Sequence, residues 1–470
     1  MTETPVGGGL RRLLEKKCTL PVRLILLALS VVVFAFFARN ARYAAIDDAV
    51  SFNFEPLYNL AMVSFTVVFL ILMLFQLREG KNVSVMTWLL LTVITGCVVL
   101  GKISLLDYVS DDYEIFLSGW LEEYETLTLK QGLGTYIGSD YSPPYLYILL
   151  LISRLKNYPW MYMIKAVSMA AEGLMAYSVM KLSSLKLRSS HYRLLAFHMT
   201  LLLPTLVFNG AYWGQCDVIY SGFCMLALFH ALRGRGALSM GLVGVALSFK
   251  FQTVFILPVL LPLWLRRNVK LWNLLMIPAA YMAMMIPALW GGKSLHHVLT
   301  VYLQQAANYN FLTMNGPSLY EIFPRIKGME NVIFNMFSNM AMMMALAFMA
   351  GVCVLLILYR DALTDEAVIL SALVLTGGIP YLLPKMHERY TFMADLLALT
   401  VCLFNRRRAA LPLLFGMASY VCYTGALNGK EIMELKWSAL FMGAGVVLAA
   451  FSLVDTLRSS KNAALAEVKA

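Results

Sequence analysis

Windows of roughly 17 to 25 apolar residues, the length that spans a bilayer as a helix, recur along this chain from near its start to near its end. In hydrocarbon every backbone N–H and C=O has to find its partner inside the structure, and a window this long does so as a helix. With 60% of its 470 residues hydrophobic, 14% charged and a mean hydropathy of +0.70, the chain carries more apolar surface than a soluble core needs. The expected class is therefore an all-α polytopic membrane protein, with the lipid bilayer as its first partner.

Reading the apolar spans and placing basic loops inside predicts about fourteen transmembrane helices, near 21–38, 57–77, 85–106, 160–181, 194–211, 217–232, 237–250, 252–266, 271–290, 333–358, 365–383, 390–404, 410–426 and 436–456. The even count puts both ends in the cytoplasm. Basic clusters at Lys186, Arg188 and Arg193, at Arg233 and Arg235, at Arg266, Arg267 and Lys270, and at Arg406, Arg407 and Arg408 then fall inside. Asp47, Asp48, Asp107, Asp111, Asp112, Glu114, Glu122, Glu123, Glu125 and Asp140 fall outside, as the positive-inside rule requires. The same bias accounts for the net charge of +11, so no nucleic-acid partner is inferred. Arg11, Arg12, Lys16 and Lys17 precede the first span, and no small-residue cleavage site follows Phe37. An uncleaved first helix in the plasma membrane is expected rather than a signal peptide. The seven cysteines are scattered and odd in number, with neither a metal-ligand spacing nor a disulfide framework.

Two long segments, 107–159 and 291–332, lie on the outer side and the inner loops are short, so the chemistry is expected outside. Residues 143–155 are apolar but too short to span, and are expected as a surface or re-entrant helix on the outer leaflet. The short pair 237–250 and 252–266 meets at Lys250 and Gln252, a polar-tipped bend of the kind that lines cavities.

Four polar clusters stand at this outer boundary. Asp111 and Asp112 lead into Tyr113, Glu114, Phe116, Leu117 and Trp120. A carboxylate there can take the proton of an attacking hydroxyl, hold a metal, or merely cap an interfacial amphipathic helix. Asp140 and Tyr141 precede Pro143, Pro144, Tyr145 and Tyr147, which suit a carbohydrate-binding face or an aromatic belt. Tyr212, Trp213, Gly214, Gln215 and Asp217 offer a stacking face, an amide and a carboxylate, the groups that read sugar hydroxyls. Lys385, His387, Glu388, Arg389 and Tyr390 put ionisable groups at the membrane edge, where they are costly. Three of them are potential cations suited to a phosphate, with Lys250 as a fourth at similar depth; a snorkelling charge cluster is the alternative. Lys165 and Glu172, seven apart on one helical face, read equally as an ion pair or a site.

Together these clusters resemble the integral-membrane glycosyltransferases of the C superfamily, and among them bacterial relatives of the second mannosyltransferase of glycosylphosphatidylinositol assembly. The resemblance rests on Asp111-Asp112-Tyr113, on Asp140-Tyr141 with Pro143-Pro144-Tyr145, on Tyr212-Trp213-Gly214-Gln215 with Asp217, and on His387-Glu388-Arg389-Tyr390, over about residues 85 to 405. It implies the superfamily's fold, with a long catalytic outer loop carrying juxtamembrane helices, and it makes Asp112 the general base with Asp111 beside it. His387, Arg389, Lys385 and Lys250 are then expected at the phosphate of a polyprenyl-phosphate sugar donor, and Asp140, Tyr141, Trp213, Gln215, Asp217, Glu388 and Tyr390 around sugar and acceptor. The implied reaction is an inverting transfer of one hexose, mannose-like, to a glycan or lipid-linked acceptor. No cofactor is expected; whether a divalent metal takes part is left open, since members of the family differ.

On this plan residues 1–84 hold two additional helices, 85–405 the catalytic module and 406–470 the last spans and tail. The family's outer loop normally follows the first helix, whereas here two helices, 21–38 and 57–77, come before the helix that leads into it. Asp47 and Asp48 form a second acidic pair, read as a decoy. Two other functions share the pattern: a transporter or flippase of lipid-linked glycans, which would carry charge near the midplane and in broken helices, and a polymerase or ligase using a diphosphate donor.

Overall fold

The computed structural model describes residues 15–46, 55–155, 159–307, 310–323, 326, 328–429 and 432–469. It is about 80% helical. Asp47 and Asp48 lie outside the described residues, as do Asn308, Tyr309 and Arg325 of the second outer segment.

All fourteen predicted segments are helical. Among the described residues seven helices are long and apolar enough to cross a membrane, or eight if one bent pair is counted as a single span. The protein is thus a helical membrane protein, and several of its remaining apolar helices are shorter than a full span.

The chain opens with α1 (Leu20–Ile46), α2 (Glu55–Leu77) and α3 (Val85–Ile103), which pack together, with Phe34 stacked on Phe69 at 4.4 Å. Ser84 caps α3 by accepting from the Thr87 N–H at 3.2 Å, which satisfies one orphan donor of the first turn. Four short helical pieces follow between residues 107 and 159: a π-turn at Tyr113–Leu117, α4 (Ser118–Thr126), α5 (Leu129–Gly134) and α6 (Pro143–Ile152). Pro143 starts α6 at a position whose N–H needs no partner.

Helix α6 is not a surface helix, one of the two forms expected for it: Tyr145, Leu146, Leu149, Leu150 and Ile152 are all enclosed in protein, while Leu151 is exposed. The Tyr147 hydroxyl donates to the Met284 carbonyl at 3.2 Å and accepts from the Ala288 N–H at 3.0 Å. The tyrosines here are packing and hydrogen-bonding groups, not a lipid-facing belt.

Next come α7 (Trp160–Ser183), α8 (Ser190–Leu201), α9 (Pro204–Val207) with a π-turn at Phe208–Tyr212, α10 (Asp217–Leu232) and α11 (Gly236–Phe249). α8 and the 204–212 segment meet at a 52° bend, because Pro204 has no N–H to carry the ladder across. A 3-10 stretch Phe251–Val259 and α12 (Leu260–Leu265) follow the bend at Lys250, whose backbone is extended at φ −153°. α13 (Met276–Trp290) and α14 (Leu295–Ala307) lead into a two-residue strand β1 (Thr313–Met314). Then come α15 (Glu330–Leu358), α16 (Asp365–Leu382), β2 (Met386–His387), α17 (Phe392–Phe404), α18 (Ala410–Asn428) and α19 (Leu435–Lys469). α16 and α17 are buried along most of their length and form the centre of the bundle.

Glu79 binds Lys181 and Arg193, Glu366 binds Lys186 and Arg408, and Asp365 binds Arg266. These pairs share the end of the bundle where α7 finishes and α16 begins, together with a crevice of about 490 Å3 lined by Lys186, Glu366, Arg408 and Asp455. The four sequence clusters lie at the opposite end, about 36 Å away along the 24 residues of α7.

Candidate functional site

Three of the four clusters converge on Asp112. It stands at the start of the Tyr113–Leu117 π-turn but makes no capping hydrogen bond. Its Oδ2 instead accepts from Trp213 Nε1 at 3.0 Å, from Gln215 Nε2, and from Arg389 Nη1 at 3.3 Å. All three described hydrogen bonds fall on that one oxygen, and the side chain remains 30% exposed. The carboxylate is oriented by one oxygen, which leaves Oδ1 as the oxygen able to meet a ligand hydroxyl.

Arg389 ties the cluster together. Its guanidinium meets Asp112, Glu388 Oε1 at 2.8 Å and Asp217 Oδ2 at 3.6 Å, and it lies 5.0 Å from the Trp213 ring centre. A planar fork with several donors can serve three carboxylates and stack at once, where an ammonium could not. Burial alone would weaken its charge, but Asp112 and Glu388 drive its pKa well above the usual arginine value. Glu388 shows the complement: burial opposes ionisation, yet the hydrogen bond with His387 and the Arg389 charge hold its carboxyl at about 2.

Asp217, fully enclosed, forms an ion pair with Lys250 and accepts from Asn209 Nδ2 at 2.9 Å. The Lys250 ammonium also sits 5.8 Å from the Tyr141 ring centre. Tyr141 packs between Trp120 at 5.8 Å and Tyr145 at 5.0 Å, and its hydroxyl reaches Gln215 Oε1 at 3.5 Å. Burial raises its pKa well above the ordinary phenol value, so it stays a neutral donor.

The cations expected at a donor phosphate are drawn into ion pairs within this cluster. Lys250 and Arg389 are present but already neutralised by Asp217, Asp112 and Glu388, so this core holds three carboxylates against two cations. Lys385 adopts the left-handed region at φ +63°, and its ammonium lies over the Phe334 ring of α15 at 5.1 Å. His387 is placed at the margin, with Nδ1 3.6 Å from Glu388 Oε2 and its ring 5.1 Å from that of Tyr390. β2 pairs in parallel with β1, Met386 opposite Thr313 and His387 opposite Met314, which brings the second outer segment to this loop. Asp111 is exposed, Asp140 is half-exposed, and among the described residues neither joins the hydrogen-bonded core.

The sequence left Lys165 and Glu172 open as an ion pair or a site, and the structure gives the two residues different partners. Glu172 binds Lys102 of α3 within the bundle. Lys165 donates to the carbonyls of Leu105 at 3.2 Å, Leu106 at 2.9 Å and Tyr108 at 2.7 Å. It therefore pins the segment that delivers Asp112. Ser110 Oγ adds a bond to the Trp213 carbonyl at 3.2 Å, Ser168 Oγ one to the Gln215 carbonyl at 2.7 Å, and Tyr108 stacks on Tyr212 at 3.8 Å. Lys165, Ser168 and Asn209 are positioning residues, a role the sequence does not assign to any of them, and Ser168 is one it does not single out at all. The available signal was their presence as polar residues within apolar helices.

Among the described residues no group of three or more His, Cys, Asp or Glu is arranged to hold a metal ion, and all seven cysteines are free thiols. The assembled chemistry is a partly exposed carboxylate, oriented by an indole, an amide and a guanidinium, beside tyrosines and a histidine-bearing loop. Such a site can accept a proton from a hydroxyl and bind a polar, sugar-like ligand. Compared with known proteins, the chain matches no family model and no curated protein.

Proposed function

We propose that this chain is a membrane glycosyltransferase of the C-superfamily type, with its fourteen helical segments forming that fold and its site on the outer face of the plasma membrane. It moves one hexose, mannose-like, from a polyprenyl-phosphate donor to a glycan or lipid-linked acceptor. The observation that carries this reading is the meeting of Asp112 with Trp213, Gln215 and Arg389, residues more than 100 positions apart in sequence.

In this mechanism Asp112 Oδ1 takes the proton of the acceptor hydroxyl as its oxygen attacks the anomeric carbon. The bond from that carbon to the phosphate oxygen breaks with inversion, and polyprenyl phosphate departs with its electron pair and negative charge. Positive charge near the departing oxygen lowers the barrier. Arg389 is the group for this role, because its 3.3 Å contact to Asp112 is longer than its 2.8 Å contact to Glu388. An incoming phosphate can exchange with Asp112 at Nη1 while Glu388 keeps the guanidinium in place. Trp213 and Gln215 hold Asp112 throughout, and Tyr141 and His387 line the approach.

The test is Asp112→Asn in vesicles supplied with a polyprenyl-phosphate hexose. Asparagine can keep its oxygen toward Trp213 and Gln215 but cannot accept the proton. Transfer should fall by about 10^2 to 10^4-fold, the usual contribution of a general base, with the thermal midpoint nearly unchanged. Turnover within a few-fold of wild type would remove Asp112 from this role.

One observation favours the transport of a lipid-linked glycan instead. The 52° helix break and the buried Lys102–Glu172 pair place bent backbone and charge inside the bundle, as transporters do. Flux of a lipid-linked glycan across liposomes without any new glycosidic product would decide for transport.

A further inference from the structure

At the end of the bundle that carries Asp112, α14 presents three different faces. Val298 and Val301 are buried against the protein, where the Tyr281 hydroxyl donates to the Val298 carbonyl at 2.8 Å and the Tyr302 hydroxyl to the Leu247 carbonyl at 2.6 Å. Leu295, Leu299 and Leu303, each four residues on from the last, form an exposed apolar stripe. His296 and Gln304 stand exposed on the third side. A helix with this pattern lies along a membrane surface, its leucines among the acyl chains and its polar side at the headgroups. Trp290, exposed in the last turn of α13, suits the same level.

The charges at the head of α14 are all of one sign. Lys293 is 8% exposed, with its stem buried and its nitrogen reaching the surface, and among the described residues its ammonium makes no ion pair and no hydrogen bond. Lys102, Lys181, Lys250 and Arg389, by contrast, are each met by a carboxylate. The charged neighbours acting on His297 are Lys293 and His296, and together with burial they push its imidazole pKa down. His297 packs edge-on against Tyr136 at 5.2 Å, and Lys130 of α5 lies over the Trp290 ring at 5.7 Å. α5 is held there because Gly134 and Gly291 meet backbone to backbone, so that a side chain on either would collide with the other. Ser294 Oγ accepts from the His297 N–H at 3.2 Å, which leaves the other N–H groups of the first turn open to a ligand.

A largely buried ammonium without a counter-charge is unfavourable, and an anion seated beside it removes the penalty. Free N–H groups at the start of a thirteen-residue helix favour an anion at the same point. Phosphate answers both, since its oxygens accept several charge-assisted hydrogen bonds at once. The leucine stripe and Trp290 then decide where that phosphate comes from: a ligand at this depth has its headgroup beside Lys293 and its acyl chains beside Leu295 and Leu299. We propose that Lys293, His296 and His297, with Lys130 at the edge of Trp290, bind the headgroup phosphate of an anionic phospholipid and so seat α14 on the membrane surface. His296 and Ser294 are exposed, so a headgroup reaches the cluster from the surface without an enclosed cavity.

The lipid site is independent of the transferase reading. The protein is taken from micelles holding equal amounts of phosphatidylglycerol and phosphatidylcholine, and the phospholipid it retains is identified by native mass spectrometry. The wild type should keep phosphatidylglycerol over phosphatidylcholine by about fivefold or more, the factor that one lysine gives near an anionic surface. Lys293→Met should bring that preference to within about twofold, since the phosphate loses its principal cation. Thermal midpoints provide a second measurement. In phosphatidylcholine alone Lys293→Met should melt at or above the wild-type temperature, because it removes an unpaired charge, whereas with phosphatidylglycerol present it should melt below the wild type. A lysine with a merely structural role would not reverse sign with lipid charge. Equal retention of the two lipids by the wild type, or an undiminished preference in Lys293→Met, overturns the proposal. So does inorganic phosphate that raises the wild-type midpoint in phosphatidylcholine as far as phosphatidylglycerol does, which would make the ligand a soluble anion. Asp112→Asn should keep the lipid preference, so failure here and failure of transfer are read separately.

Discussion

Replacing Arg389 with alanine removes the cation that touches Asp112, Glu388 and Asp217. Glu388 and Asp217 have side chains only 6% and 1% exposed, so neither can recover its solvation in water. Lys250 still pairs with Asp217, which limits the uncompensated charge to Glu388 and part of Asp112. Breaking a buried pair in this way costs about 3–5 kcal/mol, and the surviving Lys250 contact places the expectation at the lower end, about 3 kcal/mol. Arg389→Lys keeps the charge but loses the fork and the Trp213 stacking, and is expected to cost about half as much. The assay is unfolding free energy in mixed micelles for Arg389→Ala, Glu388→Gln and the double variant. If Arg389 chiefly neutralises Glu388, the double variant is less destabilised than the sum of the singles by at least about 1 kcal/mol. Additive losses, or an Arg389→Ala cost below about 1 kcal/mol, would refute the account of Arg389 as the electrostatic centre of the site.

Other outcomes follow from neighbouring contacts. Gly210→Ala would set a Cβ 2.4 Å from Glu172 Oε1, and because that carboxylate is buried and tied to Lys102, the π-turn before Trp213 should shift. The expected result is a loss of about 1–3 kcal/mol and faster hydrogen exchange at residues 208–215. Lys165→Met removes the donor to three carbonyls and should lower transfer more than it lowers stability, as seen by comparing turnover with the thermal midpoint. Glu388 has a depressed pKa, so its contribution is fully present above the ordinary glutamate value near 4.5 and is lost as pH falls toward about 2. Stability of the wild type should therefore decline through that acid window, by about 3 kcal/mol, while Glu388→Gln shows a flatter profile.

Much of the architecture was legible along the chain. Apolar windows of spanning length require helices wherever they occur, because backbone polar groups have no other partner in lipid; all fourteen segments are helical, and among the described residues seven helices, or eight with the bent pair, are long and apolar enough to span. The polar clusters were visible for the same reason, since charged and amide groups beside apolar runs are costly unless used. Their roles were not visible. Whether Asp112 caps a helix or accepts from Trp213, Gln215 and Arg389 depends on contacts across more than 100 and more than 270 positions, which no local pattern encodes. The same holds for Lys165, which shares a helical face with Glu172 yet serves carbonyls, because α3 brings Lys102 closer to that acid. The short helix after Pro143 was apolar enough for lipid, and only the packing of α4, α5, α11 and α13 around it decided that it would be buried in protein. Local sequence determined which segments become helices and which residues are expensive to bury; the tertiary structure decided which of those residues compensate one another, because that depends on distances set by how the helices pack.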